Sequence, residues 1–336
     1  MLSGTILVSL IALGVVNVAL AQTNITANVC ADPSAFTSCI AQATTASKGC
    51  MDICNGNNIC VLGCGCAMYQ SYINCVAESC WNQVYSCEYD ELIADYFVNC
   101  PAATEPVPFW PAPDNAPGGC SCNLGKVLHS VMKAEQGYNS CITNNTSTSI
   151  VQLSNKNTAC GCCEVSAGLS AMYETCPDTI PSAMGADSWL KTATLYGELI
   201  NWGTCGSVLD KYSCPNLGFA PPSSNSSTFY NPNNLPPNGT YTLYNTGGVN
   251  ALTAPASGSV FTWSQTSVTY TVTASPWKNS AVKATAAGTS GGSVASGTAA
   301  AAGATKTSGG ASLSLQLPSV VVWLSVLGVL AKMVLI

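Results

Sequence analysis

The sequence contains no arginine, a single histidine (His129) and very little charge, since acidic and basic residues make up only 8% of its 336 residues. Bidentate phosphate binding and basic nucleic-acid surfaces depend on arginine and on clustered positive charge, so we predict no nucleic-acid partner. General acid–base catalysis most often uses histidine, and no partner of His129 can be identified that would make a Ser-His-Asp or Cys-His site. The composition therefore favours a structural or binding function over catalysis.

Cysteine, in contrast, is abundant, and all twenty cysteines lie between Cys30 and Cys214. Such density is typical of a secreted disulfide scaffold. Thiolates spaced as in Cys64-Gly65-Cys66 also suit zinc or copper, but the secretory pathway is oxidising, so disulfides are favoured and no metal site is predicted. We expect ten disulfides and no free thiol, with the neighbours Cys162 and Cys163 bridging to different partners.

Both ends of the chain have the pattern of processed targeting segments. An apolar run followed by Ala19-Leu20-Ala21 predicts a signal peptide over 1–21. At the other end, small residues precede a short spacer and the apolar residues 320–336, with no basic tail behind them. This is the layout of a GPI-attachment signal, and it fits better than the alternative of a C-terminal membrane helix. We predict attachment to the GPI lipid at Gly309, or at Ser308 or Gly310, and removal of 310–336.

The composition changes twice between the cysteine-rich head and this signal. Residues 280–309 are almost entirely Ala, Gly, Ser and Thr, which cannot bury enough apolar surface to fold, so we predict a disordered, glycosylated stalk. Residues 215–279 are rich in Pro, Asn, Ser and Thr, which predicts a mostly extended linker with one weak hairpin. As a flexible coil, 215–309 would hold the head on the order of 55 Å from its anchor. Sequons predict N-glycosylated, exposed loops at Asn24, Asn144, Asn145, Asn225 and Asn238.

A Pro-rich linker over 101–119 divides the head into two halves, 22–100 and 120–214. Both halves contain an odd number of cysteines. Full pairing therefore requires an odd number of disulfides across the linker, which would make the two halves one covalent unit. The disulfide cysteines are Cys30, Cys39, Cys50, Cys54, Cys60, Cys64, Cys66, Cys75, Cys80, Cys87 and Cys100 in the first half, and Cys120, Cys122, Cys141, Cys160, Cys162, Cys163, Cys176, Cys205 and Cys214 in the second.

Apolar residues recur at helical spacing through both halves, which predicts an all-α, disulfide-rich fold in two stapled halves. Asp32-Pro33 is an N-cap and N1 pair that opens a helix to about Ala46. Further helices are expected over 128–141, 164–176 and 189–202. Each half has Cys-Gly-Cys followed by Ala-Met-Tyr, but at different intervals, so an internal duplication is only an alternative.

Four acidic residues form a first candidate cluster, Glu88, Asp90, Glu91 and Asp95. Paired carboxylates are what a glycosidase needs, and Glu91 and Asp95 would share one helical face. A solvated helix face explains the same pattern more simply. We therefore predict no catalytic residue.

Three aromatic residues form a second candidate cluster, since Trp81, Tyr85 and Tyr89 follow one another at helical spacing. Rings with a polar edge suit an exposed surface that stacks on sugar or on haem, so these residues are our candidate ligand surface. The alternative is that they belong to the core.

The order of signal peptide, cysteine-rich head, Ser/Thr/Ala/Gly stalk and GPI-like tail resembles a fungal GPI-anchored cell-surface protein. Within the first half, Cys64-Gly65-Cys66, eight residues, Cys75, four residues and Cys80 is similar to part of the CFEM pattern, an eight-cysteine helical module of fungal surface proteins. Some CFEM proteins bind haem iron through an aspartate shortly before Cys-x-Cys. Here Asn57, Asn58, Ile59 and Cys60 occupy those positions, so no cofactor is predicted, and the resemblance alone leaves haem open.

Three functional hypotheses follow. The first is a non-enzymatic, GPI-anchored glycoprotein of the cell surface or cell wall, with the membrane as partner through its lipid and wall polysaccharide as a further partner. The second is a ligand-binding head for haem, iron or glycan. The third is a glycan-remodelling enzyme, which would need two acids facing one cleft.

Overall fold

The computed structural model describes residues 24–144, 149–195, 201–222, 227–265 and 268–280. These residues form seven α-helices and one antiparallel two-stranded hairpin, which confirms a mainly helical, disulfide-rich head. The helices are α1 Pro33–Ile53, α2 Asn58–Ser79, α3 Cys87–Asn99, α4 Leu124–Thr143, α5 Ile150–Thr175, α6 Ala186–Leu195 and α7 Cys205–Leu209, and the strands are β1 Val260–Gln265 and β2 Val268–Thr273. The predicted signal peptide, the stalk beyond 280, the GPI site at 308–310, Asn145 and Asn225 lie outside the described residues.

Side-chain caps fix where the long helices begin. Asp32 Oδ1 accepts a hydrogen bond from the backbone N–H of Ala35 at 3.1 Å, as expected for the start of α1, and asparagines cap α2 and α4 in the same way. Such a cap satisfies a backbone donor that the helix leaves unpaired and typically contributes about 1 kcal/mol. α1 continues to Ile53, beyond the expected end at Ala46, because the chain first turns at Asn55-Gly56, where both residues adopt a positive φ.

The helices form two antiparallel hairpins, α1 with α2 and α4 with α5, which share one disulfide frame. In each hairpin one disulfide joins the helices at their open end, a second joins them near the turn, and a third ties the second helix to a later helix. The first hairpin uses Cys30–Cys80, Cys50–Cys64 and Cys66–Cys100, and the second uses Cys122–Cys176, Cys141–Cys160 and Cys162–Cys205.

This common frame supports an internal repeat. The same number of residues separates Cys64 from Cys80 and Cys160 from Cys176. The Ala-Met-Tyr triplets hide this similarity in the sequence. One triplet directly follows Cys66 and the other lies near the end of α5, so the two triplets do not occupy equivalent positions in the two hairpins. The repeat is carried by cysteine spacing and by helix ends.

The remaining disulfides complete the predicted set of ten with no free thiol. The first half adds Cys39–Cys75 and Cys54–Cys60, and the second adds Cys163–Cys214, so that Cys162 and Cys163 indeed bridge to different partners. One disulfide, Cys87–Cys120, crosses between the halves and confirms that they are one covalent unit.

Each half has its own hydrophobic core. The first is centred on residues such as Ile73, Tyr89 and Ile93, and the second on residues such as Val165 and Leu169. Helix α2 is long and apolar enough to cross a membrane by length and composition. Its buried side chains belong to the first core and disulfides hold it to α1 at both ends, which is the pattern of a core helix.

The Pro-rich segment 101–119 is not the free linker expected from its composition. Trp110 is buried, with its ring 4.8 Å from that of Phe97, and the Tyr89 hydroxyl donates to the carbonyl of Pro108 at 2.8 Å. Prolines prevent helix formation but do not prevent burial, since a proline-rich chain can follow the surface of packed helices. The segment therefore connects the halves as part of the first core.

Residues 227–280 also differ from the expected linker, because they pack on the head: Tyr230, Leu235 and Leu243 lie against the core of the second half, and the hairpin covers the first half. The weak hairpin is present as β1 and β2, and it buries Trp263 and Val272 against α2. Trp263 Nε1 donates to Asn74 Oδ1 at 2.8 Å, and Trp81 Nε1 donates to the carbonyl of Ser275 at 2.9 Å. An isolated two-stranded hairpin is only marginally stable in water, and packing on α2 stabilises this one.

The described chain ends beside its beginning. Asn279 Nδ2 donates to the carbonyls of Asn28 at 2.7 Å and of Cys30 at 2.9 Å, and Lys278 Nζ lies 2.7 Å from Asp32 Oδ2. This group of residues, which we call the tether pole, lies at the start of α1. The turn of the first hairpin lies at the far end of that helix, about 30 Å away at the rise of an α-helix.

Candidate functional site

The predicted aromatic surface is not available to a ligand. Trp81 and Tyr89 are buried in the first core, and Tyr85 is half-buried with its ring edge-on to Phe109 at 6.2 Å. The three residues also do not share one helix, because Trp81 lies in a short 3₁₀ turn and α3 begins only at Cys87. The prediction of a ligand surface at these rings is wrong, and the core alternative is right.

The predicted acids are divided between two sides of α3. Glu88, Glu91 and Asp95 are part-exposed, and the first two accept hydrogen bonds from Asn245 at 2.9 Å and from Asn24 at 3.2 Å. Burial raises the pKa of Glu91 above its ordinary value and that of Asp95 to about 6. This side is therefore not a fully solvated face, but a part-exposed acidic stripe along one helix.

Asp90 lies on the other side of α3, buried against the first turn of α4. Burial raises its pKa to about 7, and the backbone N–H groups of Leu124 and Gly125 oppose the rise. These N–H groups approach the carboxylate without reaching hydrogen-bond geometry, so within the described residues neither carboxyl oxygen has a hydrogen-bond partner, and the same holds for Trp110 Nε1. The indole is next to the same turn, since a Cβ built on Gly125 would lie 2.6 Å from Trp110 Nε1.

A second acid pair, which the sequence did not reveal, lies between the helices of the second hairpin. Burial raises the pKa of Glu135 on α4 to about 7, and burial together with the charge of Glu135 raises the pKa of Glu164 on α5 well above its ordinary value. If the Cys141–Cys160 disulfide were known, the two glutamates would be predicted to lie close together. Cysteine spacing alone does not reveal which cysteines pair. Both side chains are part-exposed.

Glycoside hydrolysis requires two carboxyl groups in two different roles. One carboxyl must stay protonated while its partner is ionised, which needs two different environments. Here burial is the main cause of the raised pKa at Glu91, Asp95, Glu135 and Glu164. Between α4 and α5 the two glutamates differ, since the charge of Glu135 adds to burial in raising the pKa of Glu164. The single histidine, His129, lies with Nε2 3.7 Å from Glu105 Oε1.

Sulfur atoms cluster at the turn of the first hairpin. The Sγ atoms of Cys54, Cys60 and Cys64 all lie within 4.8 Å of one another, and those of Cys54 and Cys64 are 3.6 Å apart. Metal binding needs thiolates, and these atoms belong to the Cys54–Cys60 and Cys50–Cys64 disulfides. In this oxidised state the cluster cross-links the turn twice.

Three sequon asparagines lie within the described residues, and Asn24, Asn144 and Asn238 are all exposed. The Tyr173 hydroxyl donates to Asn238 Oδ1 at 2.7 Å, and this bond leaves the Nδ2 atom, to which sugar is attached, free of that contact. Asn144 follows α4 at the turn of the second hairpin. All three side chains have the exposure that glycosylation requires, and attachment of sugar at Asn24 would replace the bond from its Nδ2 atom to Glu91 Oε2.

Besides single valines at Val249 and on the β-hairpin, apolar side chains are exposed in pairs at three places. Ile53 and Ile59 flank the turn of the first hairpin, Ile150 and Val151 start α5 at the turn of the second, and two tyrosines lie on the C-terminal segment at Tyr241 and Tyr244. The tyrosines were missed because the sequence suggested an extended linker there. Nothing in the local sequence indicates that this segment is held against the head.

Comparisons with protein-family models, with curated proteins and with solved structures give no match to this chain.

Proposed function

We propose that this chain is a non-enzymatic, GPI-anchored glycoprotein of the cell surface or cell wall, whose head is presented on a glycosylated stalk. The observation that carries the proposal is the meeting of both described ends at the tether pole, with Asn279 bonded to Asn28 and Cys30. A chain that leaves the head at one point presents all the rest of the head to the surroundings.

The ten disulfides and the exposed sequons support the same proposal. Disulfides persist in oxidising compartments, which places the head outside the cytosol. They also hold a head of limited core size together under extracellular conditions. Because residues up to 280 belong to the head, the stalk comprises only 281–309, roughly 30 residues, which as a flexible coil would span on the order of 30 Å.

The non-enzymatic assignment rests on the side chains that the head offers. The chain has a single histidine, His129, and its Nε2 atom lies 3.7 Å from Glu105 Oε1, which is not the arrangement of a Ser-His-Asp or Cys-His site. Of the ligand-binding alternatives, glycan has a specific observation in its favour, the exposed Tyr241 and Tyr244. Haem loses the aromatic surface predicted for it, because Trp81 and Tyr89 are buried.

The anchor is tested by phosphatidylinositol-specific phospholipase C on membranes of a fungal host that expresses the full chain. We expect the enzyme to release the protein into the supernatant, and mass spectrometry to find its last residue at Gly309 or an immediate neighbour. Glucanase treatment beforehand is the control, because covalent attachment to wall glucan would also prevent release. Protein that stays in the pellet after both enzymes, with residues beyond 313 recovered, would identify a membrane span instead.

A further inference from the structure

Tyr241 and Tyr244 are the two exposed aromatic side chains among the described residues, at 60% and 54% exposure. Their ring centroids are 6.4 Å apart with an angle of 70° between the planes, so the rings form a corner. No described residue bonds to either hydroxyl. Aromatic rings with a polar edge are suited to stacking on sugar rings while the hydroxyl bonds to sugar oxygens.

The backbone under these rings is held by the second half of the head, at two separate places. Tyr241 donates to the carbonyl of Asp178 and accepts from Ile180, while Tyr244 exchanges bonds with Ser121 through its N–H and its carbonyl. The rings are therefore presented from a fixed backbone, and ordering them for a ligand costs little conformational entropy.

A sugar attachment site immediately precedes the rings. Asn238 is the sequon asparagine three residues before Tyr241, and its Oδ1 atom is held by the Tyr173 hydroxyl. Gly239 lies so close to Asp178 that a Cβ at this position would be 2.1 Å from the Asp178 carbonyl carbon. The backbone between Asn238 and Tyr241 is therefore packed directly against that of Asp178. Three residues of chain span at most about 10 Å, a distance that the first two sugar rings of an N-glycan can cover.

We propose that Tyr241 and Tyr244 are the docking surface for the N-linked glycan of Asn238, whose core sugars stack on the rings. The inference rests on the proposed function, because it requires passage through the secretory pathway. The occupant follows from attachment: a tethered glycan is present at a high effective concentration, and a free sugar would have to compete with it.

The test is a double-mutant cycle on the full chain, purified in detergent from a eukaryotic host. Thr240→Ala removes the sequon without changing Asn238 or its bond to Tyr173, and Thr240→Ser is the matched control that keeps the sequon. We expect Thr240→Ala and Tyr241→Ala each to lower the guanidinium midpoint, and the double variant to be no lower than either single variant. Tyr241→Phe keeps the stacking ring and should lower the midpoint less than Tyr241→Ala. Additive midpoint shifts would overturn the proposal.

Removal of the glycan gives a second readout that does not depend on global stability. An amidase that cleaves N-glycans should act on Asn238 of the native protein about fivefold faster in the Tyr241→Ala, Tyr244→Ala variant, the factor that ~1 kcal/mol represents. The rates at Asn24 and Asn144 should not change. Equal rates at Asn238 in both proteins would overturn the inference.

The outcomes also distinguish this inference from the proposed function. If Asn24 and Asn144 carry glycans and Asn238 does not, the docking surface fails and the glycoprotein proposal survives. If no sequon is occupied, the proposed function fails as well. Binding of a soluble β-glucan oligosaccharide to the wild-type protein, lost in Tyr241→Ala, would assign the rings to a free sugar and overturn the tethered occupant.

Discussion

The two hairpins of the head have the same disulfide frame but different coverings. The first hairpin has two additional disulfides, Cys39–Cys75 and Cys54–Cys60, and it is covered by both the Pro-rich segment and the β-hairpin. The second has one additional disulfide, Cys163–Cys214, and its buried apolar residues form two smaller clusters. The frame fixes the helix pairs, and the coverings decide how much apolar surface each pair buries.

This difference explains why segments that look like linkers are ordered. A two-helix hairpin exposes apolar residues on the side that faces no partner, and Trp110 and Trp263 bury that side in the first half. Each large aromatic ring removes much apolar surface from water. The head therefore completes the core of its first half with two segments that flank the second half in sequence, the Pro-rich segment before it and the β-hairpin after it.

The largest expected effect comes from removing the covering of the first half. Trp263→Ala should lower the free energy of unfolding by about 3 to 5 kcal/mol, since it deletes a buried ring stacked on Tyr270 at 5.1 Å. Chemical denaturation of the unreduced protein measures this. Val260→Ala, an exposed position on the same strand, is the control and should change stability by no more than about 0.5 kcal/mol. If both substitutions lower the free energy of unfolding by the same small amount, the hairpin segment is a linker that does not stabilise the first half.

The next largest change in the free energy of unfolding concerns Asp90, which lies where the two halves meet. Burial raises the pKa of Asp90 to about 7, so its folded state holds a proton that the unfolded state releases near pH 4. The protonated Asp90 therefore contributes its full stabilisation below pH 4. This contribution is lost as the pH rises toward 7, which lowers the free energy of unfolding by on the order of 4 kcal/mol. Asp90→Asn should match the wild type at pH 4 and exceed it at pH 8.

The control for Asp90 is Asp52→Asn, which changes an exposed acid at the end of α1. It should leave the pH dependence of the unfolding free energy as in the wild type. If Asp90→Asn also leaves that dependence unchanged, the carboxyl is ionised in the folded protein and another group satisfies it.

A smaller effect follows from making the first turn resemble the second. Cys54→Ala with Cys60→Ala leaves one disulfide near the turn, as in the second hairpin, and a loop with a sequence separation of only 6 contributes about 2 kcal/mol in the chain-entropy model. Hydrogen exchange should increase between 50 and 64 and nowhere else. Faster exchange throughout α1 would show that this disulfide holds the whole hairpin.

The smallest effect concerns the tether pole. The ion pair with Lys278 lowers the pKa of Asp32, so the pair stabilises the fold above the ordinary pKa of an aspartate, and this contribution is lost as the pH falls through the lowered pKa. Lys278→Met should cost about 1 kcal/mol at pH 7, because the lysine is largely exposed. The difference from the wild type should shrink as the pH falls below the ordinary pKa of an aspartate, as measured by denaturation across that range.

The sequence predicts the helices and the state of the cysteines well, because periodicity, caps and odd cysteine counts are local or arithmetic signals. Asp32-Pro33 identifies the start of α1, and the odd counts require the bridge that Cys87–Cys120 provides. Pairing is different, since it depends on which helix ends meet in space. For the same reason the Glu135 and Glu164 pair could not be foreseen.

The candidate site was predicted less well, because exposure is a property of the whole fold. Trp81 and Tyr89 have the spacing of a surface stripe, yet the C-terminal segment covers Trp81 and the Pro-rich segment covers Tyr89. Tyr241 and Tyr244 lie in a sequence without helical or strand periodicity, and their exposure follows from backbone bonds to residues far away in the chain. Neither outcome is encoded by neighbouring residues.

Residues 227–280 belong to the head, and the chain leaves the head at the tether pole. Limited proteolysis of the native, unreduced protein, followed by mass spectrometry, tests this most directly. We predict that 227–265 and 268–280 are protected and that the first cleavages in the C-terminal region fall after 280, which leaves a head that ends beside Asn28. Early cleavage between 240 and 265 that releases a folded, fully disulfide-bonded 24–214 would contradict the claim.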